Sequence, residues 1–193
     1  MPGVASRETA VASGRPKPGE YAEYAESDIR AVEGHDLGAV LERQRGATVE
    51  LFSRFGEAGG GLAYGAGKWT VKQVLGHLAD DERIFAYRAL CLARGDRREL
   101  PGFDERQYVD GAQFERRSLA QLLEDYSAVR SASITLFRGL GPDSWLRRGV
   151  VNGYSATPRG LGFHIAGHEL HHHRVMLERY VPLAEREPWW PAV

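Results

Sequence analysis

A single cysteine, Cys91, stands among 193 residues, so no disulfide can form within the chain. Such usage fits a reducing compartment, and Cys91 reads as a small buried hydrophobe rather than a nucleophile. No apolar stretch approaches the roughly 20 residues that a membrane span needs. The first residues also lack the apolar core of a signal peptide, so a cytoplasmic protein with no membrane partner is expected. An excess of either sign of charge is lacking: the formal net charge is −1. There is no long basic run and no strip of aromatics interleaved with Lys or Arg, which removes the electrostatic basis for binding nucleic acid. Internal repeats and a strand pattern are absent as well. What is present is an ordinary globular composition, 42% hydrophobic and 26% charged, in a chain long enough to bury one core.

Read in order, residues 1–17 form a small-residue, polar leader expected to be disordered. Residues 18–35 alternate tyrosines and acids (Tyr21, Glu23, Tyr24, Glu26) without a period and suggest an irregular arm lying on the body. A first helix starts after Asp36, a good N-cap, and carries Leu37, Val40, Leu41, Thr48, Leu51, Phe52 and Phe55 at helical spacing until the glycines at 56 and 59–61. A second opens with the capping box Thr70-Val71-Lys72-Gln73, buries Val74, Leu75, Leu78, Phe85 and Leu92, and ends at Gly95. Residues 100–104 are turn-rich and read as a crossover or lid loop. The third helix repeats the start signal at Ser118-Leu119-Ala120-Gln121, and Gly141-Pro142 stops it. The fourth has Thr157 as N-cap and Pro158 at its first position, and runs to about Tyr180 with Pro182 just beyond. Four amphipathic helices with capping signals predict an all-α four-helix bundle. It spans residues 18–182, with 183–193 as a C-terminal tail.

Five of the seven histidines fall within ten residues, His164 to His173. Four residues turn a helix through about 400°, so His164, His168 and His172 share a face. The run is interrupted and is followed by about twenty more residues of mixed composition, unlike an appended tag. His168 and His172 stand where the stripe Leu161, Ile165, Val175, Met176 calls for apolar residues. Imidazoles at two consecutive core positions need a polar network or an ion.

His168-Glu169-Leu170-His171-His172 matches the H-E-x-x-H pattern of zincin proteases, whose Glu is a general base. The context does not fit, since no downstream third ligand of the usual spacing follows and no sheet precedes. A third ligand from upstream fits better. His77, beside the stripe of the second helix, would complete a His77, His168, His172 site with a position left for water, as in catalytic zinc centres. Three neutral ligands leave the ion's charge largely uncompensated and favour ionisation of bound water. Asp80 and Asp81 are candidates to support a ligand, with Asp81 a conceivable fourth, or are a solvated pair of helix charges. His164 could support a ligand, face substrate or simply pack. Glu169 could hold a ligand or shuttle a proton, and His173 is expected to face solvent. Cys91 lies about 21 Å of helix from His77, too far to join the site.

Four separated blocks also resemble the DinB-like (YfiT-like) family: residues 69–78 (WTVKQVLGHL), 82–90 (ERIFAYRAL), 100–104 (LPGFD) and 166–172 (AGHELHH), closing at Arg179-Tyr180. The resemblance covers roughly residues 18–182. It implies a four-helix bundle of up-down-down-up connectivity, often a homodimer, with a divalent ion held by His77, His168 and His172. It also implies a small-molecule substrate and either metal-dependent hydrolysis or transfer of a low-molecular-weight thiol. A metal-bound thiol loses its proton at neutral pH, so one open site could serve both. The alternative is a non-catalytic stress-response or structural module in which the ion only braces the bundle. Zinc or nickel suits three imidazoles, with manganese or iron as further options.

Overall fold

The computed structural model describes residues 14–191. Four long helices dominate: α1 (Leu37–Ser53), α2 (Val71–Ala93), α3 (Leu119–Arg138) and α4 (Pro158–Val175). Their starts follow from side-chain caps. Asp36 accepts from Ala39 N, Thr157 accepts from Gly160 N with Pro158 at the first position, and both capping boxes, Thr70/Gln73 and Ser118/Gln121, close in both directions.

Side-chain contacts set the connectivity. The pairs Thr48–Glu169 and Gln44–Ala166 run α1 parallel to α4, whereas Arg45–Ser131 and Glu42–Arg138 run α1 antiparallel to α3. The pairs Arg83–Asp125 and Glu82–Arg130 tie α2 to α3, and because both helices run opposite to α4 they are parallel to each other. His77 and Phe85 of α2 meet His168 and His164 of α4 in reverse order, so that pair is antiparallel. The result is an up-down-down-up bundle in which α1 lies diagonal to α2 and α3 diagonal to α4. The α1–α2 and α3–α4 connections therefore cross the ends of the bundle and the α2–α3 connection runs along its length, and no helix among the described residues is long and apolar enough to span a membrane.

These connections hold structure that periodicity does not reveal. The crossover after α2 carries the helix Glu105–Ala112, capped by Asp104. The crossover before α4 contains a hairpin, β1 (Gly149–Val151) against β2 (Tyr154–Ala156), although no strand pattern is legible there. Its turn is Asn152-Gly153, both residues at positive φ (50° and 77°). Asn-Gly is the dipeptide that a two-residue hairpin turn demands, so a local signal was present, but three-residue strands are too short to show alternation. Leu100 pairs with this hairpin (Leu100 N to Val150 O 3.0 Å, Asn152 N to Leu100 O 2.8 Å), which ties the turn-rich 100–104 segment down at its first residue.

The arm is more regular than its composition suggests, with a 3₁₀ turn (Glu23–Ala25) running into a short helix (Glu26–Ala31) laid along α4. Gly167 permits this approach, because a Cβ there would stand 2.6 Å from the Asp28 carbonyl carbon. Of the leader read at residues 1–17, residues 1–13 lie outside the described residues, and Arg15 donates to the carbonyls of Ile29 and Val32. Glu20 fastens the arm to the start of α4. It accepts from Thr157 Oγ1 at 3.0 Å and from Arg159 at 2.9 and 2.6 Å, and its carbonyl accepts from Thr157 N at 3.0 Å. Burial opposes ionisation of Glu20, but the bonds from Arg159, Thr157 and Lys17 outweigh it and hold the carboxyl below its ordinary value. A folded-state pKa below the unfolded one gives stability that is present above the unfolded value and is lost as pH falls through the folded one. Glu20→Gln should therefore cost about 2 kcal/mol at pH 7, the scale of a lost charge-assisted bond. In denaturant melts at successive pH values, the difference from wild type should shrink towards pH 3.

The fourth helix does not stop at Tyr180. The chain widens into a π-helical turn (Met176–Tyr180) and continues as a helix from Val181 to Ala184. Pro182 falls within the first turn of that last segment, where a missing N–H does least harm. Beyond it, Trp190 packs edge-on to Phe55 at 5.0 Å, so the tail lies against the bundle.

The core divides in two. One apolar cluster gathers Leu41, Phe85, Ile134, Phe137 and Ile165 near the arm, and the other gathers Phe52, Val74, Leu78, Tyr126 and Met176 at the opposite end. On each helix the residues between them are polar and buried: Gln44 and Thr48, Glu82, Arg130, Glu169.

Candidate metal centre

His77 on α2 and His168 and His172 on α4 come together because the two helices run antiparallel and match level by level. His77 faces His172, Asp81 faces His168, and Phe85 faces His164. The Nε2 atoms of His77 and His172 lie 3.2 and 3.1 Å from Nε2 of His168, and one nitrogen of each ring lies within 4.8 Å of the others. His77 is buried, while His168 and His172 are half-buried and border a cleft of about 390 Å³. The Trp69 ring covers the other side, 4.7 Å from the ring of His77 and stacked 6.4 Å from that of His172.

The protonation pattern follows from burial and one carboxylate. Burial, helped by the neighbouring His168, pushes His77 down to about 4, and burial with the same neighbours takes His172 well below the ordinary histidine value. Both rings are therefore neutral at pH 7 and carry a free lone pair. Burial also opposes charge on His168, but Asp81, 3.2 Å from its Nδ1, raises it. Burial opposes ionisation of Asp81 in turn, and the charge and hydrogen bond of His168 overcome this and hold the carboxyl at about 2. Asp81 thus takes Nδ1–H of His168 and leaves its Nε2 aimed at the other two rings, the arrangement in which an outer carboxylate orients a metal-ligating histidine.

The other residues singled out from sequence fall elsewhere. Asp80 turns away and pairs with Arg83 at 3.1 Å. His164 sits flat against Phe85 at 4.0 Å and stacks parallel on His168 at 5.8 Å, bordering the same cleft. His171 lies 3.8 Å from Asp28 of the arm. Cys91 is half-buried against the apolar core. His173 does not face solvent: its Nε2 is 2.6 Å from Thr48 Oγ1, because α1 lies parallel to α4 on that side. Glu169 is neither near the cluster nor free to shuttle protons. It is buried about 100° around α4 from His168, where it accepts from Tyr126 at 2.7 Å and also from Thr48 and Arg130. Arg130 in turn binds both oxygens of Glu82 at 2.8–3.0 Å. A signal for this network existed, since Thr48, Arg130 and Ser133 occupy core positions of otherwise apolar stripes.

A family model, that of the DinB superfamily, matches residues 40–176. The chain belongs to the DinB superfamily. Among solved structures, YfiT from Bacillus subtilis matches with a TM-score of 0.66 and 20% identity, over 88% of this chain and 94% of that one. That protein is described as a probable metal-dependent hydrolase with an unusual four-helix bundle topology. A search of curated proteins finds no match. Within this DinB fold the H-E-x-x-H pattern is an accident of spacing. Its Glu169 is locked under Arg130, where it could not act as a general base at His168 or His172.

Proposed function

We propose that this DinB-superfamily protein is a metal-dependent enzyme. His77, His168 and His172 would hold one divalent cation at the wall of the cleft, where it would supply the acidity that makes water a nucleophile for hydrolysis or a low-molecular-weight thiol a nucleophile for transfer to an electrophile. The observation that carries the reading is the convergence of three imidazole nitrogens from two helices beside an open cleft, with Asp81 setting the tautomer of the central ring. Metal–nitrogen bonds of about 2.0–2.1 Å at tetrahedral angles put ligand nitrogens roughly 3.3 Å apart. The 3.1 and 3.2 Å contacts fit that spacing, and one cation satisfies lone pairs that would otherwise face each other. Bound there, the ion would supply Lewis acidity, lowering the pKa of water or a thiol towards neutrality. The protein residues hold the rings, with Trp69 packed on His77 and His172, and leave the cleft side for substrate. Zinc or nickel suits the all-imidazole set, with manganese and iron as further options. A cytoplasmic homodimer belongs to the same proposal through family likeness, and light scattering tests the dimer.

The deciding experiment is a paired assay on metal-loaded protein. Ester and amide substrates are offered with water alone, and an electrophile is then offered with several cellular thiols. Turnover with water makes the protein a hydrolase, and turnover only with a thiol makes it a transferase. Failure of both, together with spectroscopy showing four protein ligands and no exchangeable water, would leave the ion as a brace for the bundle.

A further inference from the structure

Arg88 lies on α2 three turns beyond His77, close to the same face, is 4% exposed, and borders the cleft shared by His164, His168 and His172. Arginine is almost never buried to that degree unless paired. Arg130, the other deeply buried arginine of the bundle, obeys this rule through Glu82 and Glu169. Arg88 has one carbonyl partner, Pro101 O at 2.6 Å from Nη2, and makes no ion pair among the described residues. Its guanidinium carbon lies over the rings of Phe85 and Phe103, 4.8 and 5.5 Å from their centroids, so the charged plane is held in position. Three acids border the cleft with Arg88, and none pairs with it: Asp81 is on His168, Asp28 is near His171, and Glu105 also lines a second cleft beside His171 and His172. The Arg88 end is left as a cationic pole with unused N–H donors.

We propose that Arg88 anchors a carboxylate of the small-molecule substrate whose reacting end lies at His77, His168 and His172. This rests on the reading of the cleft as an active site. Asp81, behind His168, and Arg88 are seven residues apart on one helix, about 10 Å of rise. The substrate therefore carries its carboxylate at the end away from the reacting atom, with a flat apolar middle that lies along Phe85 and His164. A planar carboxylate suits the guanidinium edge, where two parallel N–H donors can bind it at once.

Benzoate and benzamide share a shape and differ in charge, which makes them suitable probes. Each is titrated into the full chain, metal-loaded and chelator-treated, by calorimetry and by NMR of the arginine Nε–H signals. Benzoate should bind both preparations at least about tenfold more tightly than benzamide, the scale of one charge-assisted bond, and should shift the Arg88 resonance. Arg88→Gln should lose about that factor, and Arg88→Lys should keep part of it. Benzoate binding that disappears on chelation and ignores Arg88→Gln would put the carboxylate on the metal and overturn the proposal. So would equal affinity for the two probes, no benzoate binding, or an unmoved Arg88 signal in the wild-type protein, a readout that needs no variant to fold. The chelated arm involves no metal, so its outcome is separate from that of the proposed metal chemistry.

Discussion

Replacing His77 with alanine should abolish stoichiometric metal binding, and His168→Ala and His172→Ala should each do the same. Each removes one of three nitrogens that converge within 4.8 Å, and two ligands cannot hold a divalent ion against water in a cleft open on one side. The loss should exceed the roughly 10–100-fold typical of removing an outer partner, which is the smaller effect expected of Asp81→Ala through release of the His168 ring. His173→Ala is the control: its ring bonds Thr48 on another side of α4, so metal content should be unchanged although stability falls slightly. Metal analysis after gel filtration, with circular dichroism to verify folding, measures all five variants. Full occupancy in His77→Ala would remove the proposed constellation, because no other histidine on α2 could replace it.

Arg130→Ala should be the most destabilising single substitution in the interior. Arg130 is 1% exposed and neutralises two carboxylates, Glu82 and Glu169, that are equally buried. Its removal strands both charges, and breaking a buried pair from one side typically costs about 3–5 kcal/mol. Burial already pushes the Glu82 carboxyl above its ordinary value even with Arg130 beside it. In the variant that upward push is unopposed. A carboxyl with a raised folded-state pKa weakens the fold above that pKa and ceases to do so as pH falls through it, so the deficit should be larger at pH 8 than at pH 5. Chemical unfolding at the two pH values tests both magnitude and sign. A loss below about 1 kcal/mol would mean that the polar layer between the two apolar clusters is solvated.

Arg88 and Arg130 mark the limit of what is legible in the sequence. Both arginines lie on amphipathic helices, and nothing in their spacing separates a charge locked between two acids from one facing a cleft. Glu169 is the opposite case. Its place in H-E-x-x-H invites a catalytic role, and only the assembled bundle, whose interior α3 side chains cross towards α4, shows it bonded to Arg130 and Tyr126. His173 followed the same logic, since its solvent-facing reading ignored the helix that covers it.

The sequence by itself determined the four long helices and their starts, because caps and the 3.6-residue period act over a few neighbouring residues and need no partner. It also singled out His77, His168 and His172, since a polar residue on an apolar stripe is conspicuous locally. Tertiary structure alone decided which helix lies beside which, and so brought His77 to His168, put Asp81 behind it, and buried Glu169 with Arg130. It also decided the hairpin and the continuation through Pro182. Apart from the Asn152-Gly153 turn of the hairpin, those outcomes depend on contacts between residues far apart in the chain, whose free energy appears only when the faces meet, and no local pattern encodes them.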